Sequence, residues 1–523
     1  MDACSAVENW VTMNGIFLTF MSSFPTIVKR IKMRYRLFGL KLIFLLNVLA
    51  PQILVAQSLQ VKLDEYIIRC REVNRFNGVV LVAHGDAILY HEAFGLANIQ
   101  TKEKLTTDHA FQLASMSKAF TAMAIMMLKE EGKLNYNDTI TRYLPELPYR
   151  NITIRHLLNH TSGLPDYLDQ FDQYWDTSFS QSGKRKTATN NDVIAMLATR
   201  NDSLAFPPGD GYSYSNTGYA LLASIVEQVS GEPFDQFLKK KIFDPLEMTQ
   251  TMVYNLIKDP PIDHRAYGFS QSFINDSLTS NDLWYLDGVA GDKDVYSTTG
   301  DLFKWDRALL TEKLVARTTL ADAFRPARLN NDSLHLYGFG WFIDTTAGHK
   351  GVWHTGTWGG FKNVFVREFE NKNTIIILTN NTVATPRTMA LAISDVINGR
   401  QYEMPKASIA QVIGGIILAD SALAARRKYY DLKLHQPDGY DFSEGVMNAL
   451  GYQLLRSGHL AEAIDVFKIN TEVYPQSSNV FDSLGEAFMA NGDTDLAIAN
   501  YEKSVELNPA NAGGIQALKK LKK

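Results

Sequence analysis

The stretch that decides the fold reads FQLASMSKAF over residues 111–120 and continues as TAMAIMML to residue 128. Its apolar residues recur at helical spacing until Gly132, which predicts a buried helix that ends near this glycine. Ser115 then lies at the start of the helix, and Lys118 lies one turn further on the same face. The spacing therefore brings a hydroxyl and an amine together at a helix terminus.

This Ser-x-x-Lys pair predicts a nucleophile and its base. A serine hydroxyl is a weak nucleophile until a neighbouring group takes its proton. A lysine in a desolvated site becomes a neutral amine more readily and can serve as that base. Taken alone, however, the motif also fits a surface lysine near a serine that caps the helix. The interpretation as a catalytic pair depends on the segments downstream of Lys118.

Length and composition limit the classes of protein that fit. The chain has 523 residues, which is more than one domain requires, and a net charge of −4. This negative net charge argues against a nucleic-acid-binding protein, which usually carries an excess of basic residues. The cysteines are Cys4 and Cys70, which are too few for a disulfide framework or a metal cluster. The histidines lack metal-ligand spacing, so we expect neither a metal nor another cofactor.

Residues 1–56 are predicted to be an N-terminal extension with an export signal. A basic start at Met33 precedes an apolar core over residues 42–50, and Ala56-Gln57 follows as the expected cleavage point. The true start would then be Met33, and the mature protein would be exported to the periplasm or the exterior. The alternative is an uncleaved segment that anchors the protein in a membrane, although its apolar run is short for a span.

Strand patterns bracket a long helical region. A β-hairpin is predicted over residues 78–90, and β-rich runs follow Tyr337. Strands from both ends would share one antiparallel sheet, with a mostly helical lobe inserted between them. We therefore predict an α+β domain over residues 57–400, with a site between its lobes. The predicted strands after Tyr337 cover residues 339–344, 351–354, 363–368 and 374–379.

The last part of the chain repeats with a period of 34 residues. Gly451 and Gly485 are matched at this distance, as are Pro475 and Pro509. This period resembles the tetratricopeptide repeat, which implies an all-α region and a possible protein partner. We assign residues 441–523 to these repeats and residues 401–440 to a helical linker. Since two repeats are fewer than the usual minimum of about three, we expect them to lean on the helix around residues 411–430 or on the α+β domain.

Two further segments supply candidate site residues. Tyr214-Ser215-Asn216 opens a buried helix that ends at Gly231, whereas the other Tyr-x-Asn sequence, at Tyr149, lies in a polar connector and is set aside. The segment HTGTWGG over residues 354–360 reads as a glycine-rich strand whose amides can face an oxyanion. Each segment alone also fits a purely structural role.

Together, and in this order, the three segments resemble the penicillin-recognising serine hydrolases, which include class C β-lactamases, DD-peptidases and related esterases. The resemblance spans roughly residues 59–399 and implies a β-lactamase/transpeptidase-like fold. It also implies a role for each matched position. Ser115 would be acylated, Lys118 would accept its proton, Tyr214 would relay a proton, Asn216 would hold the substrate, Ser115 and Thr357 would supply oxyanion amides, and His354, Thr355 and Gly356 would line the strand edge.

One departure from the family pattern affects the substrate. His354 stands where β-lactamases of this family usually carry lysine, and a neutral imidazole suits a substrate carboxylate less well. We therefore expect an exported serine hydrolase acting on a small ester, amide or peptide, of the esterase or D-amino-acid peptidase type. A β-lactamase is one alternative. A non-catalytic penicillin-binding-like sensor or scaffold is another, although the complete set of Ser115, Lys118 and Tyr214 argues against it.

Overall fold

The computed structural model describes residues 59–73, 76–175, 186–256 and 262–522. The chain divides into two units, Met1–Lys62 and Leu63–Lys523, and the strands of the described residues all belong to the second unit. The predicted export signal and the start at Met33 lie outside the described residues. Within those residues, every helix is too short or too polar to cross a membrane.

A six-stranded antiparallel sheet forms the centre of the hydrolase region. Its strands are β1 (Gly78–His84), β2 (Ala87–Phe94), β10 (Phe342–Asp344), β11 (Gly351–Trp358), β12 (Phe361–Glu368) and β13 (Asn373–Thr379). They lie side by side in the order β10-β11-β12-β13-β1-β2. Gly78 of β1 faces Thr379 of β13, so strands from the two ends of the region are neighbours. The prediction of one sheet shared by both ends is confirmed.

The lobe between β2 and β10 is mostly helical, as predicted, with short strands at its margins. Its helices are α2 (Lys118–Glu130), α3 (Ile154–Leu158), α4 (Tyr167–Tyr174), α5 (Asn190–Arg200), α6 (Asn216–Ser230), α7 (Phe234–Leu238), α8 (Thr299–Ala308) and α9 (Arg317–Ala323). A further helix, α1 (residues 59–73), precedes β1 and lies outside this lobe in the sequence. Its strands are β3 (Phe111–Gln112), β4 (Met252–Val253), β5 (Phe269–Gln271), β6 (Leu278–Ser280), β7 (Val295–Ser297), β8 (Ala327–Arg328) and β9 (Leu334–His335).

Helix α2 is buried from Lys118 through Leu128 and lies at the centre of the core. The helix is apolar on all sides, so it packs against both the sheet and the helical lobe. The chain leaves the helix at Gly132, whose φ of +70° is the left-handed conformation that glycine adopts at helix ends. Such a buried helix is a rigid support for residues at its N-terminus.

Several strand boundaries differ from the prediction, and the differences at β10 and β11 border the serine turn. β10 begins at Phe342, three residues later than expected, because the preceding turn packs against α2. At Gly340, φ is +77° and an added Cβ would lie 2.8 Å from Ala119 Cα, so this position cannot continue a strand. β11 runs on to Trp358, past the expected end at His354.

The C-terminal region is all-α after the last sheet strand, apart from one short strand pair. Its helices are α10 (Pro386–Ile397), α11 (Ile409–Ala419), α12 (Ala422–His435), α13 (Glu444–Arg456), α14 (Leu460–Val473), α15 (Ser478–Asn491), α16 (Thr494–Leu507) and α17 (Ala512–Leu521), with β14 (Ala407–Ser408) paired to β15 (Tyr440–Asp441). An added Cβ would lie 2.5 Å from Phe467 at Gly451 and 3.2 Å from Tyr501 at Gly485. The matched glycines therefore allow equivalent close helix contacts.

Helices α13–α16 share one apolar cluster with α11 and α12, so this part of the chain packs on the helices that cover residues 411–430. The cluster also takes in Phe273 and Ile274 of the hydrolase lobe. Beside them, the backbone N–H of Phe273 donates to Gln453 Oε1 at 2.8 Å. The C-terminal region is thus packed against the hydrolase rather than tethered to it.

Deletion of residues 440–523 is expected to give an insoluble protein. The deletion would expose Ile409, Ile413 and Tyr429, which are fully buried in the shared cluster. Soluble fraction and turnover of the truncated chain would measure the effect. Arg426→Ala, which removes a surface ion pair to Glu472 and a contact with the Tyr430 ring, is the control and should stay soluble. A soluble, fully active remnant would contradict the expectation.

Candidate active site

Ser115 lies in a 3₁₀ turn, Ala114–Ser117, directly before α2. The preceding residue, Ala114, has a φ of +51°, a left-handed conformation that is costly for a residue with a Cβ. Local strain of this kind persists where the surrounding structure imposes it, and it is concentrated at functional sites. The turn leaves Ser115 partly exposed while both of its neighbours are buried.

Lys118 is fully buried, and its ammonium group is surrounded by acceptors. Its Nζ lies 3.1 Å from Ser115 Oγ, 2.8 Å from Asn216 Oδ1 and 3.0 Å from the Asp292 carbonyl oxygen. Burial lowers the pKa of Lys118 to about 8, while the nearby carboxylates Asp292 and Asp166 oppose the shift. The neutral amine, which can accept a proton from Ser115, is therefore the minor form at pH 7 and the major form only above about pH 8.

Asn216 begins α6 and is held from both sides. Its Oδ1 accepts from Lys118, and its Nδ2 donates to Asp166 Oδ2 at 2.9 Å. The same carboxylate oxygen accepts the backbone N–H of Asn216 at 2.8 Å. These contacts fix which end of the amide faces Lys118. In this arrangement Asn216 positions the lysine, beyond the substrate-holding role that its motif implies.

Tyr214 lies against the same lysine, with its ring centroid 4.9 Å from Lys118 Nζ and 4.2 Å from the ring of His160. Burial raises the pKa of the Tyr214 phenol, and the nearby Ser115 hydroxyl partly offsets that rise. Within the described part of the chain, no hydrogen bond of conventional geometry holds its hydroxyl. A buried phenol next to Ser115 is thus left free to bond a reacting group.

Strand β11 runs beside the serine turn. At Gly356 an added Cβ would lie 1.9 Å from the Leu113 carbonyl oxygen, so only glycine allows this approach. β10 pairs with β11 over Gly351–Trp353 only, and the rest of that edge continues past Ser115. Thr355 is half-buried and Thr357 is exposed. Their backbone therefore borders the space in front of the serine.

His354 departs from the expectation that it lines the edge. Its side chain is 2% exposed, because it points to the same interior face as Gly356 along the strand. Its Nδ1 lies 2.6 Å from the Thr355 carbonyl oxygen and must donate to it, so Nε2 accepts from the Tyr337 hydroxyl at 3.0 Å. Burial and the charge of Lys118 lower the pKa of His354 to about 3. It is a neutral support behind the site.

A charged segment that the sequence analysis missed lies beneath Lys118. Residues 292–294 read Asp-Lys-Asp and are all buried. Tyr167 Oη donates to Asp292 Oδ2 at 2.9 Å and accepts from Lys293 Nζ at 2.6 Å. Burial raises the pKa of Asp294 to about 7. The available signal was three consecutive charges that follow Val289-Ala290-Gly291 and precede Val295-Tyr296.

One grouping resembles a metal site, which the sequence analysis did not anticipate. Ligand atoms of Glu103, His109 and His264 lie within 4.8 Å of one another. However, His109 Nδ1 accepts the backbone N–H of Thr106 at 3.0 Å, so the ring proton is on Nε2, which faces Glu103 at 3.2 Å. This tautomer makes a histidine–carboxylate hydrogen bond and leaves His109 without a free lone pair for a cation.

Comparison with known proteins gives one family and a consistent set of relatives. The Beta-lactamase family model matches residues 63–396. Penicillin-binding protein 4* of Bacillus subtilis is 42% identical over 64% of this chain and 75% of its own length. The octameric penicillin-binding protein homologue of Pyrococcus abyssi is 25% identical, with a TM-score of 0.57 over 67% of this chain and 80% of that one. The D-amino acid amidase of Ochrobactrum anthropi shares the fold and is 24% identical, with a TM-score of 0.54. The match covers 65% of this chain and 97% of the amidase chain.

Proposed function

This chain belongs to the Beta-lactamase family of serine hydrolases, and we propose that Ser115 is the residue its substrate acylates. We further propose a small ester or amide, including D-amino-acid derivatives, as that substrate. The observation that carries the proposal is the 3.1 Å contact between Ser115 Oγ and the buried Nζ of Lys118. A nucleophile beside a base with a lowered pKa is the arrangement that acyl transfer requires.

The proposed reaction has two halves. Neutral Lys118 takes the Ser115 proton as Oγ bonds to the substrate carbonyl carbon, and the backbone amides of Ser115 and Thr357 bind the resulting oxyanion. Tyr214 donates its phenol proton to the leaving alcohol or amine as the bond to it breaks, and is reprotonated through Lys118. Water then attacks the acyl carbon and loses a proton to the same pair, which passes it to Ser115 Oγ as the acyl C–O bond breaks and the acid leaves.

The environment of His354 supports the choice of substrate. A buried neutral imidazole supplies no charge beside Thr355 for a carboxylate next to the reacting bond. Rapid β-lactam hydrolysis is therefore the less favoured alternative. Because the Bacillus subtilis relative is named for binding penicillin, we include penicillin as a slow acylating agent of Ser115. A protein that binds penicillin without turning over any substrate would be the sensor alternative.

A substrate panel tests the proposal. The full chain would be assayed with p-nitrophenyl butyrate, D-alanine p-nitroanilide and benzylpenicillin, with acylation followed by intact mass. We expect turnover of the ester or the anilide and a long-lived penicillin adduct. Fast release of penicilloate would favour the β-lactamase alternative instead. An adduct without turnover of either chromogenic substrate would favour the sensor, and neither adduct nor turnover would refute the proposal.

Activity is expected to rise with pH through a pKa of about 8. The base form of Lys118 is the neutral amine, so kcat/KM should fall about tenfold per pH unit well below this value and level off above it. A profile of p-nitrophenyl butyrate hydrolysis from pH 6 to pH 9.5 would measure it, after subtraction of the uncatalysed rate. A flat profile across this interval would show that no proton acceptor titrates there.

We also propose that the protein acts outside the cytoplasm. The proposal rests on the basic start at Met33 followed by the apolar run over residues 42–50. N-terminal sequencing of the protein recovered from the producing cells would test it. A mature end at Gln57 is expected, and an end before Met33 would contradict the proposal.

A further inference from the structure

The residue before α4, Asp166, is bonded to the start of α6 through its side chain. Its Oδ2 accepts two hydrogen bonds from Asn216, one from the backbone N–H at 2.8 Å and one from Nδ2 at 2.9 Å. Its Oδ1 accepts the backbone N–H of Leu168 at 3.0 Å and thereby caps α4. Both oxygens therefore act as acceptors, as they do in an ionised carboxylate.

The backbone on both sides of Asp166 is fixed to the same helix end by Thr217. The Thr217 hydroxyl donates to the Pro165 carbonyl oxygen at 2.7 Å and accepts the backbone N–H of Tyr167 at 2.7 Å. One side chain of α6 therefore bonds the residue before Asp166 and the residue after it. These contacts keep the main chain of Asp166 next to Asn216.

Two adjacent residues, Asp166 and Tyr167, hold two of the groups that accept hydrogen bonds from Lys118. Asp166 bonds the Asn216 amide, whose Oδ1 lies 2.8 Å from Lys118 Nζ. Tyr167 bonds the side chain of Asp292, whose carbonyl oxygen lies 3.0 Å from the same Nζ. The start of α4 therefore supports both acceptors of the lysine other than the nucleophile.

The orientation of the Asn216 amide depends on the carboxylate of Asp166. In the observed orientation, Nδ2 donates to Asp166 and Oδ1 accepts from Lys118. A half-turn of the amide would bring Nδ2 against the ammonium group and Oδ1 against the carboxylate, so neither hydrogen bond would form. An ionised Asp166 thus keeps an acceptor, rather than a donor, beside Lys118.

The negative charge of Asp166 also affects Lys118. Burial lowers the pKa of the lysine, and the charges of Asp292, Asp166 and Asp294 oppose this effect because they stabilise the ammonium form. Lys118 becomes an ammonium ion when it takes the Ser115 proton. The carboxylate of Asp166 therefore favours the charge that the lysine acquires during acylation.

Other ionisable groups surround Lys118 as well. They are residues 292–294 before β7, Tyr214 and Tyr219 at α6, His160 just after α3, and His354 of β11. Burial lowers the pKa of both histidines and raises the pKa of both tyrosines, so these four groups are neutral near pH 8. Burial raises the pKa of Asp294 to about 7, so this group titrates close to the lysine. Chains that differ only at Asp166 share the contribution of Asp294, and their comparison isolates that of Asp166.

We propose that Asp166 is a positioning residue for the base: it acts through Asn216 to keep an acceptor beside Lys118, and its charge stabilises the lysine once protonated. The proposal rests on the proposed function, since it concerns the lysine that takes the Ser115 proton. In that step the O–H bond of Ser115 breaks and an N–H bond forms at Lys118 Nζ. Asp166 exchanges no proton itself and provides a fixed amide and a fixed negative charge.

Asp166→Asn tests the role of the charge, and asparagine is also a good residue for capping α4. We expect the rise of kcat/KM for p-nitrophenyl butyrate to move to lower pH by about one unit, because the ammonium form of Lys118 loses a stabilising charge. The plateau above the rise should fall as well, since the new amide presents a donor where the carboxylate accepts. Asp169→Asn, exposed in the first turn of α4, is the matched control and should change neither the midpoint nor the plateau.

Asp166→Glu tests the role of the geometry. Glutamate keeps the charge but is longer by one methylene group, so its oxygens are displaced from the Asn216 amide. We expect a lower plateau and a midpoint close to that of the native chain. Thermal unfolding of both Asp166 variants would show that they are folded when their activities are compared.

Titration of Lys118 itself separates this proposal from the proposed function. The NMR signals of carbon-13-labelled lysine report protonation without any substrate, and Lys118→Gln identifies the signal of Lys118. A lower pKa of this lysine in Asp166→Asn than in the native chain would support the proposal even if no substrate were hydrolysed. If neither this titration nor the midpoint of the activity profile moved in Asp166→Asn, the proposal would be overturned. A lower plateau alone would not rescue it, because a purely structural role of Asp166 would give the same loss.

Discussion

Ser115→Ala is expected to lower kcat for the preferred substrate by about 10³-fold or more. Alanine has no oxygen to form the acyl bond, and no other hydroxyl is hydrogen-bonded to Lys118 Nζ within the described residues. The fold should persist, because Nζ keeps its bonds to Asn216 and Asp292. Turnover of the chromogenic ester and the mass of the protein after exposure to penicillin would be measured together.

The matched control for this variant is Ser333→Ala. Ser333 lies in the exposed turn between β8 and β9 and its side chain bonds Asn331, so loss of the hydroxyl should leave both turnover and adduct formation unchanged. Thermal unfolding of the two variants would show that neither has lost its fold. An adduct that still forms in Ser115→Ala would assign the nucleophile to another residue.

Much of the sheet and of the Ser-x-x-Lys pair could be predicted because the signals are local. Runs of apolar, mostly β-branched residues bounded by turn residues mark β1, β12 and β13, and a separation of one helical turn places Ser115 next to Lys118. The family resemblance added Tyr214, which the structure brings to the same lysine. Ser115 and Lys118 lie at the start of a buried helix, which the helical spacing of the apolar residues predicts.

The surroundings of Lys118 could not be predicted in this way, since they depend on contacts between distant segments. Three consecutive charges at residues 292–294 usually indicate an exposed turn, yet here they lie in the core, where Tyr167, 125 residues away from Asp292, bonds Asp292 and Lys293. The burial of His354 likewise depends on Tyr337 and on the interior face it shares with Gly356. The alternation of side chains places His354 and Gly356 on one face of the strand. The sequence of the strand alone does not show whether this face is buried or exposed.

Replacement of Lys118 tests the mechanism rather than the identity of the nucleophile. Lys118→Gln is expected to lower kcat by about 10²- to 10⁴-fold, because an amide can still donate to Ser115 but cannot take its proton. Lys118→Arg should be impaired to a similar degree, since a guanidinium keeps the charge and does not deprotonate. Single-turnover acylation by p-nitrophenyl butyrate would measure the affected step. Lys133→Gln, beyond the end of α2 and exposed, is the control.

The pair of Lys118 variants separates two roles that a single variant would confuse. If Lys118 acts through its positive charge, Lys118→Arg would retain most of the activity and only Lys118→Gln would be impaired. If it acts as the base, both variants lose activity, and the residual rate no longer rises through the pKa of about 8 that burial gives the native lysine. The burial of Nζ favours the second result, because desolvation lowers the free-energy cost of holding the amine without its proton.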